Sequence, residues 1–164
     1  MRTAVFPGTF DPLTTGHVDL IERGTRLFDR VLVAILTNPG KQPLFAVEDR
    51  LAMIRETFAG REDVQVESFR GLLVELVRRT RAVAVLRGVR GVTDFDAERQ
   101  MALMNRHLSA EVDTVFLVPS AATAHVSASL VREIAAVGGA VAGLVPPAVE
   151  ARFARLRPSP TVKV

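Results

Sequence analysis

No cysteine occurs among the 164 residues, which excludes disulfide frameworks, thiolate metal sites and cysteine nucleophiles and agrees with a reducing compartment. Long apolar runs are missing too. The N-terminus passes from Met1-Arg2-Thr3 directly into the short run Ala4-Val5-Phe6. That leaves no spanning helix and no signal-peptide region, so the expectation is a cytoplasmic protein without a membrane partner. Basic residues do not gather either. A net charge of +3 comes with arginines scattered through helical segments, not with a basic run interleaved by aromatics. The expected anionic partners are therefore phosphorylated small molecules and not nucleic acid. Carboxylates do not cluster at metal-ligand spacing, and no dedicated protein metal site is expected. Repeats and low-complexity linkers are also absent.

What is present suffices for one core, at 48% hydrophobic residues in a chain too short for two ordinary domains. A single domain over 1–157 is expected, with 158–164 as a frayed tail, because the prolines of Arg157-Pro158-Ser159-Pro160 cannot continue a helix. Apolar strand-like runs fall at Ala4 to Phe6, Val31 to Leu36, Val64 to Val66, Val83 to Leu86 and Val115 to Val118. Segments of helical period separate them. This alternation indicates an α/β fold: a Rossmann-like, doubly wound, mostly parallel five-stranded sheet with helices on both faces.

The first helix should start near Gly16 and turn Val18, Ile21 and Leu27-Phe28 inward. The second, from Val47 to Phe58, puts Leu51, Ile54 and Phe58 on one stripe. Further helices are expected at Leu72 to Thr80, Thr93 to Leu108, Ser127 to Val137 and Ala148 to Leu156. In such sheets ligands bind beyond the carboxyl ends of the strands, so the segments after each strand are the informative ones.

The first of these runs Gly8-Thr9-Phe10-Asp11-Pro12 and then Thr14-Thr15-Gly16-His17 at a helix start, where unpaired N–H groups suit a phosphate. Thr9 and His17 could donate to it. Spacing alone leaves open a plain tight turn with Thr9 as a local cap and His17 at the surface. After the second strand, Asn38-Pro39-Gly40-Lys41-Gln42-Pro43 carries a lysine that by itself is an ordinary loop residue. After the fourth, Arg87-Gly88-Val89-Arg90-Gly91 puts two arginines at the end of a buried strand. Unpartnered guanidinium groups there would be costly, and bidentate pairing with phosphate explains them. After the fifth, Ser127-Ala128-Ser129 opens a helix, with Ser127 either an N-cap or part of a second anion-ready terminus.

The first segment resembles the signature of the nucleotidyltransferase superfamily, whose defining tetrapeptide is His-x-Gly-His. Thr14 stands in place of the first histidine, as in the phosphopantetheine adenylyltransferase branch. Arg87-Gly88-Val89-Arg90 is similar to the family's Arg-Gly-x-Arg, and Val126-Ser127-Ala128-Ser129 to its Ile-Ser-Ser-Ser/Thr, with Ala128 removing one hydroxyl. His125 and Ala97 replace aromatics of some relatives. The motifs stand in order across roughly Arg2 to Leu156.

The resemblance implies adenylyl transfer from ATP to 4'-phosphopantetheine, giving dephospho-CoA and pyrophosphate by direct in-line attack without a covalent intermediate. Mg²⁺ would arrive with ATP. It further implies that Thr9, Lys41, Leu73, Arg87 and Asn105 meet the acceptor. ATP would meet Thr9, Phe10, His17, Gly88, Val89, Arg90 and Glu98, together with the stretch Thr123, Ala124, His125, Val126, Ser127, Ala128 and Ser129. Thr9, His17, Lys41 and Arg90 would carry the catalysis. A homohexamer inhibited by coenzyme A is implied as well. Two alternatives remain: transfer to another phosphorylated acceptor, such as nicotinate mononucleotide or, with CTP, glycerol 3-phosphate, and a catalytically silent nucleotide-binding domain.

Overall fold

The computed structural model describes residues 1–37, 40 and 42–156. Five strands, β1 (Thr3–Gly8), β2 (Arg30–Leu36), β3 (Val64–Phe69), β4 (Ala84–Gly88) and β5 (Thr114–Leu117), form one parallel sheet in the order β3-β2-β1-β4-β5. Each crossover carries a helix, as parallel pairing requires. These are α1 (Thr15–Leu27), α2 (Val47–Thr57), α3 (Leu73–Thr80) and α4 (Val92–Leu108), followed by α5 (Ala128–Ala136) and α6 (Pro147–Leu156). The expected α/β sheet is the one the chain forms. Among the described residues no helix is long and apolar enough to cross a membrane. The tail expected to fray, 158–164, lies outside the described residues.

Side chains alternate across the sheet with the strand period of two. Ala4 and Phe6 of β1 join Val31, Val33 and Ile35 of β2 in a core shared with Leu20 and Ile21 of α1, Met53 and Ile54 of α2, Val131 of α5 and Phe153 of α6. Val5, Leu32 and Val85 face the other way, onto Val74, Leu76 and Val77 of α3. Phe116 of β5 meets Phe95 of α4 edge-on, 5.6 Å between ring centres, while its neighbours Val115 and Leu117 pack on the first core. Helices α3 and α4 therefore share one face and α1, α2, α5 and α6 the other.

Two local expectations change. Leu27 is 46% exposed. The chain leaves α1 at the extended residue Phe28, which packs against the core where Leu27 was expected. On α2 the buried stripe includes Met53 and a charged residue, Arg50, while Leu51 is only half-buried. At Gly88 a Cβ would stand 2.3 Å from a Leu20 methyl, so the glycine lets α1 seat directly on β4.

Candidate active site

A cleft of about 420 Å³ opens at the carboxyl ends of β1 and β4, where the strand order reverses. The β1–α1 loop, the end of β4, the first turns of α4 and the start of α5 line it. Of the expected site residues it gathers Thr9, Phe10, His17, Arg87, Gly88, Arg90 and Glu98, with Thr123, Val126, Ser127, Ala128 and Ser129.

His17 sits at the third position of α1 and forms a reciprocal cap with Thr14. The Thr14 hydroxyl accepts from the His17 backbone N–H at 3.3 Å, and the Thr14 backbone N–H donates to His17 Nδ1 at 3.1 Å. Because a backbone N–H can only donate, Nδ1 is the accepting nitrogen and the neutral ring carries its proton on Nε2. Phe10 packs against that ring edge-on at 5.1 Å and against Phe6 at 5.6 Å. Burial, followed by the charges of Arg87 and Arg90, pushes His17 down from 6.5 to about 4. At neutral pH it is thus an uncharged N–H donor held rigidly at a helix N-terminus.

Phe10, expected to meet the nucleotide, lines the cleft, and its side chain, 2% exposed, backs the His17 ring. Its backbone has a positive φ of 47°, an uncommon conformation for a side chain of this size. A Cβ at Gly8 would lie 3.0 Å from the Phe10 ring. The glycine therefore makes room for the aromatic as well as for any ligand.

Arg87 and Arg90 are not unpartnered. Arg87 Nε donates to Glu98 Oε2 at 2.6 Å, Nη2 pairs with Glu98 Oε1, and Nη1 donates to the Pro7 carbonyl at 2.5 Å. Three of its five N–H groups are engaged, which leaves two to donate. Glu98, expected beside the nucleoside, thus spends its carboxylate on Arg87. Arg90 Nε donates to Asp94 Oδ2 at 3.0 Å. Both carboxylates come from the start of α4, and both arginines remain on the cleft wall.

Ser127 is the N-cap of α5, its hydroxyl accepting from the Leu130 N–H at 3.2 Å. Ser129 hydrogen-bonds that same hydroxyl at 3.1 Å. The anion-ready groups of this terminus are consequently backbone N–H groups, for which Ala128 serves as well as serine.

The preceding loop is held by residues of α1 that the sequence motifs did not single out. Asp19 accepts from the Ser120 backbone N–H at 2.9 Å, and Arg23 Nη1 donates to the Val118 carbonyl at 2.5 Å and lies 3.5 Å from Asp19. The helix that positions His17 therefore also fixes the loop carrying Thr123. Asp11 does the same for another segment: its carboxylate accepts from the backbone N–H groups of Leu44 and Phe45 at 2.8 and 2.9 Å. Arg132 of α5, on the cleft wall, donates to the Asp11 carbonyl. A charged residue one or two turns after a motif was the only available signal.

Among the described residues, Leu73, Val89, Ala124, His125 and Asn105 are not on the cleft wall. Val89 is buried and bonds the Leu117 carbonyl at 2.9 Å. Ala124 and His125 lie in the same loop as Thr123, with His125 exposed. Leu73 begins α3 and packs beside the second core, and Asn105 is buried on α4. Lys41 lies outside the described residues.

The sequence matches the family described as Cytidylyltransferase-like over residues 5–134. It is 47% identical to the phosphopantetheine adenylyltransferase of Desulfosudis oleivorans, over 93% of this chain and 91% of the relative. It is 51% identical to that of Thioalkalivibrio sulfidiphilus, over 93% and 97%. The chain belongs to the phosphopantetheine adenylyltransferase family. With that of Gloeobacter violaceus the identity is 52%, over 90% of this chain and 91% of the relative. Among solved structures, a bifunctional NMN adenylyltransferase/ADP ribose pyrophosphatase from Francisella tularensis superposes with a TM-score of 0.73 at 15% identity. The superposition covers 94% of this chain and 49% of that one, a likeness of fold. Membership of the family agrees with Thr14 where the superfamily has histidine, and the structure gives that threonine the task of capping α1 and holding His17.

Proposed function

We propose that this chain transfers the adenylyl group of ATP to 4'-phosphopantetheine, a step of coenzyme A synthesis, with residues 1–157 acting as one cytoplasmic catalytic domain. The observation that carries this reading is His17, a neutral Nε2–H donor fixed at a helix start in a cleft shared with the cationic Arg87 and Arg90. A phosphate monoester has a second pKa of about 6, so the attacking oxygen is already ionised near neutral pH and no general base is required. That oxygen forms a bond to the α-phosphorus while the bond to the bridging oxygen breaks, and pyrophosphate leaves with the electron pair. Catalysis then consists of positioning and charge stabilisation.

His17 donates to a phosphoryl oxygen, joined by Thr9 and by Arg90. Arg87 keeps Glu98 and offers its two remaining donors to the acceptor phosphate, beside Lys41. The pantetheine arm runs towards Leu73 and Asn105. Asp94 and Glu98, the carboxylates of the cleft, are already taken by arginines. Among the described residues no three His, Cys, Asp or Glu side chains are grouped to hold a metal. Mg²⁺ enters with ATP as the MgATP complex and keeps several of its waters.

The family resemblance extends the proposal to a homohexamer inhibited by coenzyme A. Helix α4 supports self-association, since Val92, Met101, Leu103 and Met104 are between 55% and 81% exposed. The test of function is pyrophosphate release from MgATP with 4'-phosphopantetheine, nicotinate mononucleotide or, with CTP, glycerol 3-phosphate. Release with phosphopantetheine alone is expected. Release only with another acceptor would overturn the substrate, and ATP binding without any release would identify a silent nucleotide-binding domain.

A further inference from the structure

The buried residues of α2 are Arg50, Met53 and Ile54. The arginine is only 4% exposed, its Nε is shut away from solvent with no partner, and among the described residues no carboxylate pairs with it. A buried guanidinium without a counter-charge is costly, and a hydrophobic side chain of similar size in its place is often neutral or stabilising. The packing of α2 therefore does not call for an arginine.

What does call for one is a bond across 41 positions of the chain, from Nη1 to the Thr9 carbonyl at 2.8 Å. That carbonyl belongs to the Thr9–Phe10 peptide, and Phe10 carries the positive φ of 47°. Turning a peptide plane over changes the φ of the residue after it by half a turn and leaves the path of the chain nearly unaltered. Such a turn here would return Phe10 to the negative φ usual for a bulky side chain. It would also swing the Thr9 carbonyl off Arg50, to where the Phe10 N–H now is, because the two groups of a trans peptide point in opposite directions. Local backbone preference and the Arg50 bond thus favour different orientations, and the chain adopts the one that Arg50 holds.

The orientation matters to the site. Thr9 is exposed on the walls of both the cleft and a second basin beside it, of about 710 Å³, whereas Phe10 belongs to the cleft wall and Arg50 to the basin wall. With its carbonyl drawn towards Arg50, the peptide presents the Phe10 N–H on the cleft side. Turned over, it would present a carbonyl oxygen, which repels phosphate. We infer that Arg50 is a positioning residue for the transfer step, keeping the Thr9–Phe10 peptide donor-side to the cleft and the Thr9 side chain in place without touching either substrate. The inference rests on the adenylyl-transfer reading.

The test pairs steady-state kinetics and thermal melts with ¹⁵N relaxation dispersion on the ligand-free full chain, for wild type, Arg50→Met and Arg50→Lys. Methionine keeps the bulk and removes the donor, whereas lysine restores the charge and the single bond. Arg50→Met should lower kcat about tenfold or more, because small misplacements near the reacting atoms are costly. KM for 4'-phosphopantetheine should stay within about twofold, and the melting temperature should be unchanged or higher. The Thr9 and Phe10 amides, quiet in wild type, should show microsecond-to-millisecond exchange in this variant. Arg50→Lys should recover most of kcat and the quiet amides.

A kcat within about twofold of wild type in Arg50→Met overturns the inference. So does a rise in KM for the acceptor at unchanged kcat, which would put Arg50 in contact with substrate. A loss of kcat that follows the melting temperature down and that lysine does not restore would make Arg50 a packing residue only. Exchange at Phe10 in wild type overturns the inference even where Arg50→Met does not fold. A chain that transfers no adenylyl group but shows the amide pattern keeps Arg50 as the holder of the loop and loses only the transfer reading.

Discussion

On the β1–α1 wall of the cleft the functional groups are held by neutral hydrogen bonds and ring packing, whereas on the β4–α4 wall each arginine is held by a carboxylate. The Thr14–His17 cap and the Phe6–Phe10–His17 stack fix the histidine before any ligand arrives. Arg87 and Glu98 retain 30% and 18% side-chain exposure, and Arg90 and Asp94 retain 43% and 35%. Pairs so exposed contribute modestly to stability and weaken in salt. The first wall is therefore preorganised, and the second is a set of charges whose partners a phosphate can replace in part. That division suits a transfer reaction, which needs one fixed donor for developing charge and several adjustable grips on incoming phosphates.

The contrast can be broken most severely at His17. His17→Ala should lower kcat by about a hundredfold or more, the usual cost of losing a transition-state donor. It should also lower stability by about 1 kcal/mol, because the ring's half of the cap, Nδ1 accepting from the Thr14 backbone N–H, is lost. Steady-state kinetics with thermal melts measure both effects, and a near wild-type kcat would remove His17 from the chemistry.

Asp19→Ala sharpens the comparison, since it leaves both walls intact and frees the loop between them. A charge-assisted bond to a backbone N–H is lost, so KM for ATP should rise about tenfold with kcat little changed. Asp19→Asn, which keeps an accepting oxygen, should recover most of the difference. Loss of kcat and KM together in both variants would mean that Asp19 merely stabilises the fold.

A smaller effect is expected from Glu98→Ala, which removes the counter-charge on the second wall. If Glu98 orients Arg87, kcat/KM for 4'-phosphopantetheine should fall by no more than about fivefold, with the fall shrinking as salt rises. A gain would instead mark Glu98 as a competitor of the acceptor phosphate.

The sheet was legible because its five apolar runs alternate with helical segments, and the segments after β1, β4 and β5, singled out for their glycine, hydroxyl and arginine residues, come together on one cleft. What was not legible depends on where helices land. Glu98 meets Arg87 only because α4 crosses the end of β4, and Asp19 meets Ser120, 101 positions away, only because α1 lies against the β5–α5 loop. The packing of the Phe10 ring into the space that Gly8 leaves open, against His17, is not written in the motif either. Arg50, which no motif or apolar stripe singles out, is buried.

Central to this account is a neutral, Nε2-protonated His17. With the folded ring near 4 and the unfolded ring near 6.5, the unfolded chain binds the extra proton between those values. The stability due to His17 is then full above 6.5 and falls as pH drops towards 4. The most direct measurement is a pH titration of the ring nitrogens by ¹⁵N NMR on the ligand-free protein. The account predicts Nε2–H with unprotonated Nδ1 at pH 7 and protonation only well below pH 5. Protonation with a midpoint near 6.5, or a proton on Nδ1 at neutral pH, would contradict it.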